Sequence, residues 1–144
     1  MQVNNGDVGI LDRLSTGEIL VFDGATGTYL QQHGLEPGGS PELMNANEPE
    51  IIQGMAKQYF DAGSDIVLTN TFGGNKFMLE KYGAGDRVFE LNRLGAEHAR
   101  SVAPAGKYVA GSIGPTGEFI EPLGTVTEDD LYDTFAEMST AFEA

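Results

Sequence analysis

The chain has 144 residues, 40% of them hydrophobic, which is enough for one domain with a real core and too apolar for disorder. Eight Lys and Arg against 22 Asp and Glu leave a formal charge of −14, which repels phosphate backbones and anionic bilayers and counts against nucleic acid or a membrane as partner. The sequence has no cysteine, so it builds neither a disulfide framework nor a thiolate metal site, and without a secretory signal or a membrane-length apolar run the expected setting is cytoplasmic.

In chain order, Val8, Leu11 and Leu14 predict a short helical lead-in. Ile19 to Phe22 then reads as a strand, in the stretch EILVFDGATGT, whose apolar run stops on Asp23. Two readings of that acid stand side by side: a cap for the short helix through Thr28 to Gln32, or a carboxylate aimed at a ligand from the rim of a sheet. Extra turns are expected at Tyr29 to His33 and Lys76 to Tyr82. Pro49 suits the first turn of a helix carrying Ile52, Met55 and Tyr59, and Gly63 suits the position just past its end. Ile66 to Thr69 is the second strand. Asp86 is placed to cap a second long helix with the stripe Val88, Leu91, Gly95, Ala99 and Val102, closed by Pro104. Tyr108 to Gly111 is the third strand. Thr127 with Asp130 matches a capping box, and Leu131, Phe135, Met138 and Phe142 make the apolar face of a final helix.

Continuous apolar strands alternating with helices predict an α/β fold with parallel strands. Strand starts recur at roughly 40 to 47 residues, more than a minimal βα unit needs, with the surplus concentrated in Asp23 to Glu48. Long loops after strand ends are where such folds keep their sites. Each strand is followed by a polar or glycine-rich tip: Asp23 to Gly27, Asn70 to Asn75, and Ser112 to Gly117. One tip is an ordinary turn; three on one rim of a parallel sheet point to a site.

The chemistry on offer is recognition of a polar or zwitterionic small molecule. Asp23 supplies a negative charge for an ammonium, and the backbone N–H groups of Gly24, Ala25 and Thr26 suit a carboxylate. The loop lacks the G-x-G-x-x-G spacing, which counts against a dinucleotide. His33 and His98 are expected to be solvated, with no metal motif around either and no Ser-His-Asp set to assemble. Glu118, Glu121, Glu128, Asp129 and Asp130 read as a solvated face.

The segments DGATGTYLQQHG, PELMNANEPEIIQGMAKQYFDAGSDIVLTNTFGGN and VAGSIGPTGE, in this order, resemble the N-terminal half of the homocysteine S-methyltransferase family. That family includes the homocysteine-binding module of cobalamin-dependent methionine synthase and the betaine-homocysteine methyltransferases. Thr69-Asn70-Thr71-Phe72 after Ala62-Gly63-Ser64-Asp65 is the most specific part.

The resemblance implies a (β/α)8 TIM barrel, of which this chain carries about three βα units. In the family, zinc held by three cysteines from later strands keeps the homocysteine sulfur as thiolate, and a methyl group passes to it, giving methionine. The donor is methylcobalamin, a betaine or a sulfonium, with cobalamin sited on a corrinoid partner or another domain. By position, Asp23 would meet the substrate's amino group and the Gly24, Ala25 and Thr26 backbone its carboxylate, while Asn70, Thr71 and Ser112 would line the pocket. Gly73 after Phe72, where betaine-type enzymes carry a tyrosine, favours the methionine-synthase side. The family's fourth-strand glutamate and zinc cysteines are absent. The expectation is therefore a single partial domain over residues 1–144, truncated before the zinc-ligand half, which binds the amino-acid end of homocysteine rather than turning it over alone. The competing reading is a non-catalytic half-barrel that associates with a complementary half, or with itself, through exposed sheet edges. A third is an independent α/β binding domain.

Overall fold

The computed structural model describes residues 9–144, so Val8 of the expected lead-in lies outside the described residues. The lead-in is α1 (Ile10–Ser15). After tip one come α2 (Gly27–Gln32), a 3-10 turn (Pro41–Leu43) and α3 (Met44–Asn47). Then follow α4 (Pro49–Asp61), β1 (Ile66–Leu68), α5 (Lys76–Glu80), α6 (Val88–Ser101), β2 (Tyr108–Ala110) and α7 (Glu128–Glu143). Among the described residues no helix is long and apolar enough to cross a membrane.

The long helices form where local chemistry asks for them. Pro49 opens α4, where a missing N–H costs nothing, and Gly63 follows it at φ 110°, a left-handed conformation that ends a helix without a Cβ penalty. Thr127 and Asp130 form the expected capping box on α7: Thr127 Oγ1 accepts from the Asp130 N–H at 3.1 Å, and Asp130 Oδ2 accepts from the Thr127 N–H at 2.9 Å. The start of α6 differs from expectation. Its N-cap is Arg87, without a side-chain cap bond, while Asp86 stays exposed. The Arg87 guanidinium instead forks onto Glu90 at 2.8 and 2.9 Å, and the Arg87 N–H bonds Ala84 O. Val102 likewise falls just past the helix end, as its C-cap.

The sheet is parallel but shorter than the sequence suggests. β1 and β2 pair in the register Ile66↔Tyr108, Val67↔Val109 and Leu68↔Ala110. The expected first strand, Ile19 to Phe22, is reduced to a single parallel bridge between Phe22 and Ile66. Two backbone bonds hold it, Ile66 N–H to Val21 O and Asp23 N–H to Ile66 O. The ladder stops there because side chains take its next places at both ends. The Leu68 N–H, which would continue to the Asp23 carbonyl, goes to Asp23 Oδ2 at 2.9 Å. At the other end the Val21 N–H goes to Asp65 Oδ2 at 3.0 Å. Two carboxylates thus close a strand that would otherwise run on.

Helices cover one side of the sheet. Ala56 and Phe60 of α4 and Ala99 of α6 pack with Val67, against the partly buried Val102 and Val109. Farther out, Leu79, Ala84, Val88 and Leu91 close around Met138 of α7, and Leu30 and Met44 pack with Ile52 and Met55. Each fully buried Val, Leu, Ile, Phe or Met among them contributes about 1.5–3 kcal/mol, so these clusters, rather than the short strands, hold the loops in place. On α4, Phe60 and Ala56 carry more of the burial than the expected Tyr59, which is half-buried.

Candidate functional site

The three tips come together at the C-terminal end of the strands, sewn by side chains. The Ser112 N–H donates to Thr69 Oγ1 at 2.9 Å, and the Thr71 hydroxyl donates to Ser112 O at 2.8 Å, which joins tips two and three. The Gly114 N–H adds a bond to Phe72 O at 2.9 Å. Asn75 caps α5 by accepting from the Met78 N–H and also donates to Pro115 O at 3.2 Å. Helix α6 approaches this rim closely enough that a Cβ on Gly95 would sit 2.7 Å from Thr71 Cγ2 and 2.8 Å from Asn45 Nδ2.

Asp23 is the chemically unusual member. It does not cap α2, whose N-cap is Thr26 without a side-chain bond. Its Oδ2 is fixed by Leu68, while Oδ1 is buried and has no hydrogen-bond partner among the described residues. Loss of water pushes the Asp23 carboxyl above the ordinary range, and the Leu68 N–H offsets only part of that. Next to it, the loop Gly24 to Thr26 is pinned by the Tyr59 hydroxyl, which donates to Ala25 O at 2.7 Å. Among the described residues no backbone carbonyl meets the N–H of Gly24, Ala25 or Thr26.

The other expected site residues divide. Asn70 is buried and spends its amide on the protein: Nδ2 donates to Pro41 O at 2.8 Å and Asn45 Oδ1 at 2.9 Å. Thr71 is fully buried, and Ser112 is half-buried at the joint between tips two and three. Asn70 and Thr26 nevertheless share a hollow of about 250 Å³, walled also by Glu42, Phe72, Met78 and Tyr82. Glu42 was not singled out in the sequence. A hollow of about 370 Å³ lies away from the strand ends, between α6 and α7.

His98 is also not the solvated residue expected. It is half-buried, its Nε2 lies 2.7 Å from Asn45 O and its Nδ1 3.4 Å from Gln53 Nε2, so it ties α6 to α3 and α4. His33 is exposed and stacks on Tyr29. The acidic run from Glu118 to Asp130 faces solvent at each of the five named acids.

At the opposite end of the strands the charges are paired. Asp65 Oδ1 meets Lys107 Nζ at 2.8 Å and Arg13 Nη2 at 3.5 Å, and Arg13 also binds Glu18 and lies 5.6 Å from the Tyr108 ring centre. The Lys107 ammonium, with the Val21 N–H, brings the Asp65 carboxyl down to about 2. Metal donors are a different matter: the sequence has no cysteine, and among the described residues no group of three or more His, Cys, Asp or Glu is placed to hold an ion. The residues present do not fit a zinc site.

With this geometry in place, likenesses to known proteins become informative. The homocysteine S-methyltransferase family model matches residues 20–144. Methionine synthase of Mycobacterium tuberculosis (strain ATCC 25618 / H37Rv) is 37% identical over 145 residues, covering 91% of this chain and 12% of that protein. Methionine synthase of Mycobacterium leprae (strain TN) is 34% identical with the same coverage. Among solved structures, the metallated form of the homocysteine methyltransferase MmuM from Escherichia coli superposes with a TM-score of 0.74 at 20% identity, covering 92% of this chain and 53% of that one. Its oxidized form gives 0.69 at 22% identity, covering 87% and 49%. The structural likeness speaks for the fold, and the chain spans about half of the enzyme it superposes on and 12% of the methionine synthases.

Proposed function

The chain belongs to the homocysteine S-methyltransferase family, and we propose that it forms the first βα units of a (β/α)8 barrel whose strand ends hold the amino-acid end of homocysteine. In this reading residues 1–144 are one partial, cytoplasmic domain of a methyltransferase that makes methionine, and the zinc ligands lie outside them. The observation that carries it is Asp23 Oδ1, a buried acceptor without a partner among the described residues, beside a loop whose N–H groups meet no backbone carbonyl among them.

An ammonium at Oδ1 would supply the missing hydrogen bond and return the carboxyl toward its ionised form. The Gly24, Ala25 and Thr26 N–H groups would take the substrate carboxylate. Asn70, Thr71 and Ser112 shape the wall by holding the tips, since the Asn70 amide nitrogen and the Thr71 hydroxyl are already bonded within the protein. The family's zinc would supply thiolate activation; because these residues do not fit it, their part is confined to binding and orienting the substrate. The likeness to methionine synthases favours methylcobalamin, carried by a partner or another domain, over a betaine or sulfonium donor.

Calorimetric titration with homocysteine or methionine tests the claim. Asp23→Asn is expected to weaken binding roughly 10- to 100-fold, the worth of a charged hydrogen bond; equal affinity would remove Asp23 from the role. A second reading, a non-catalytic half-barrel that pairs with a complementary half or with itself, draws support from Ile19 and Phe22, 87% and 52% exposed along an open sheet edge. Size-exclusion with light scattering addresses it, and a compact monomer would count against pairing.

A further inference from the structure

We infer that Glu42 is a positioning residue that fixes one peptide plane of the rim and thereby couples the segment after tip one to tips two and three. The sequence around it, SPELMN, makes it look like an ordinary acid after a helix-opening proline. In a chain with 22 acids it is instead 4% exposed. Oε1 accepts from the Gly73 N–H at 2.7 Å and Oε2 from the Ser40 hydroxyl at 2.8 Å. No cation lies within ion-pair distance of it among the described residues. Burying a carboxylate against neutral donors alone is costly, so its worth is in geometry rather than in net stability.

The geometry is specific. The Gly73 N–H and the Phe72 C=O belong to one peptide unit and point to opposite sides of it. The N–H reaches Glu42, on the segment after tip one; the C=O reaches the Gly114 N–H, in tip three, at 2.9 Å. A charged acceptor on one side polarises the peptide and strengthens the carbonyl as acceptor on the other. Residue 73 has little room for a side chain, since a Cβ there would lie 3.0 Å from Glu42 Oε1. With this plane fixed, Phe72 is held outward, 62% exposed, at the mouth of the hollow that Glu42 and Thr26 also wall. Removing the carboxylate frees the peptide to rotate and lets tip two part from tip three and from the segment that carries Glu42.

The effect on a ligand rests on the homocysteine-binding reading above; the effect on the peptide does not. The test compares the full chain with Glu42→Ala and Glu42→Gln by amide exchange at Gly73 and Gly114, and by homocysteine calorimetry. In Glu42→Ala, exchange at both amides should rise by about tenfold or more and affinity should fall about tenfold, the scale of a lost charged hydrogen bond. Gln keeps an oxygen for the Gly73 N–H, so it should restore exchange and affinity to within about threefold, as a neutral acceptor of the same shape does. Unchanged exchange in Glu42→Ala, or a Gln variant no better than Ala, overturns the proposal. Should Glu42→Ala fail to fold, the Gln variant decides alone, by keeping or losing protection at both amides. Should homocysteine fail to bind the unaltered chain, the functional reading falls while the exchange data still judge Glu42.

Discussion

Asp65 and Asp23 each lend one carboxylate oxygen to a backbone N–H across the same short stretch of chain, Asp65 to Val21 and Asp23 to Leu68. Their second oxygens differ. Asp65 Oδ1 meets Lys107 and Arg13, and its carboxyl is drawn down to about 2, first by the Lys107 bond. Asp23 Oδ1 meets nothing among the described residues, and burial pushes its carboxyl up. The same side chain in the same backbone role is thus closed at one end of the sheet and open at the other. What separates the two acids is whether the protein supplies the counter-charge itself, and the one left open is the acid proposed above to meet an ammonium.

Three experiments bear on that contrast, the largest effect first. Asp65→Ala removes the acceptor of the Val21 N–H and takes from Lys107 its carboxylate partner, while Arg13 keeps Glu18, so it should give the steepest loss of thermal midpoint in calorimetry. Asp23→Asn should leave that midpoint unchanged or slightly raised, because the amide oxygen still serves Leu68 and no buried charge remains; a loss matching that of Asp65→Ala would erase the distinction. Thr127→Ala, remote from both, should cost about 1 kcal/mol in denaturant unfolding through its capping box, and serves as a scale for local damage.

Acidity sharpens the comparison further, because the two signs are opposite. The depressed Asp65 carboxyl stabilises the fold above the ordinary carboxylate range, and that contribution is lost as pH falls toward about 2. The raised Asp23 carboxyl favours the folded chain below its ordinary value, and that contribution is lost as pH rises through its elevated pKa. Unfolding followed against pH in Asp65→Asn and Asp23→Asn should therefore show differences from the unaltered chain that run in opposite directions.

Much of this was readable from sequence where the cause is local. The strands expected at 66–69 and 108–111, the Pro49 start, the Gly63 stop and the Thr127 box each depend on residues a few positions apart, and each stands in the structure, the two strands one residue shorter. The gathering of three tips on one rim followed from parallel βα order. What escaped depends on distant partners. The first strand is cut short by Asp65, 44 residues from Val21, and by the Asp23 side chain competing with its own carbonyl. Glu42 is buried by Gly73, 31 residues away, and His98 by Asn45, 53 residues away. No periodicity marks such pairings. For the same reason the sequence singled out Asn70 without revealing that its amide nitrogen is spent within the protein.

The bond from Leu68 to Asp23 Oδ2 has a bearing on how position 23 can drift. That residue answers two demands at once: an acceptor of the right length for the sheet, and a negative charge for the ligand proposed here. Asparagine meets the first and fails the second; glutamate keeps the charge and overshoots the bond; alanine fails both. If Asp23 holds the proposed ammonium, a related chain with asparagine here would keep the fold and grip that end of its ligand less tightly, so a single letter in a new sequence becomes a readable mark of weakened binding.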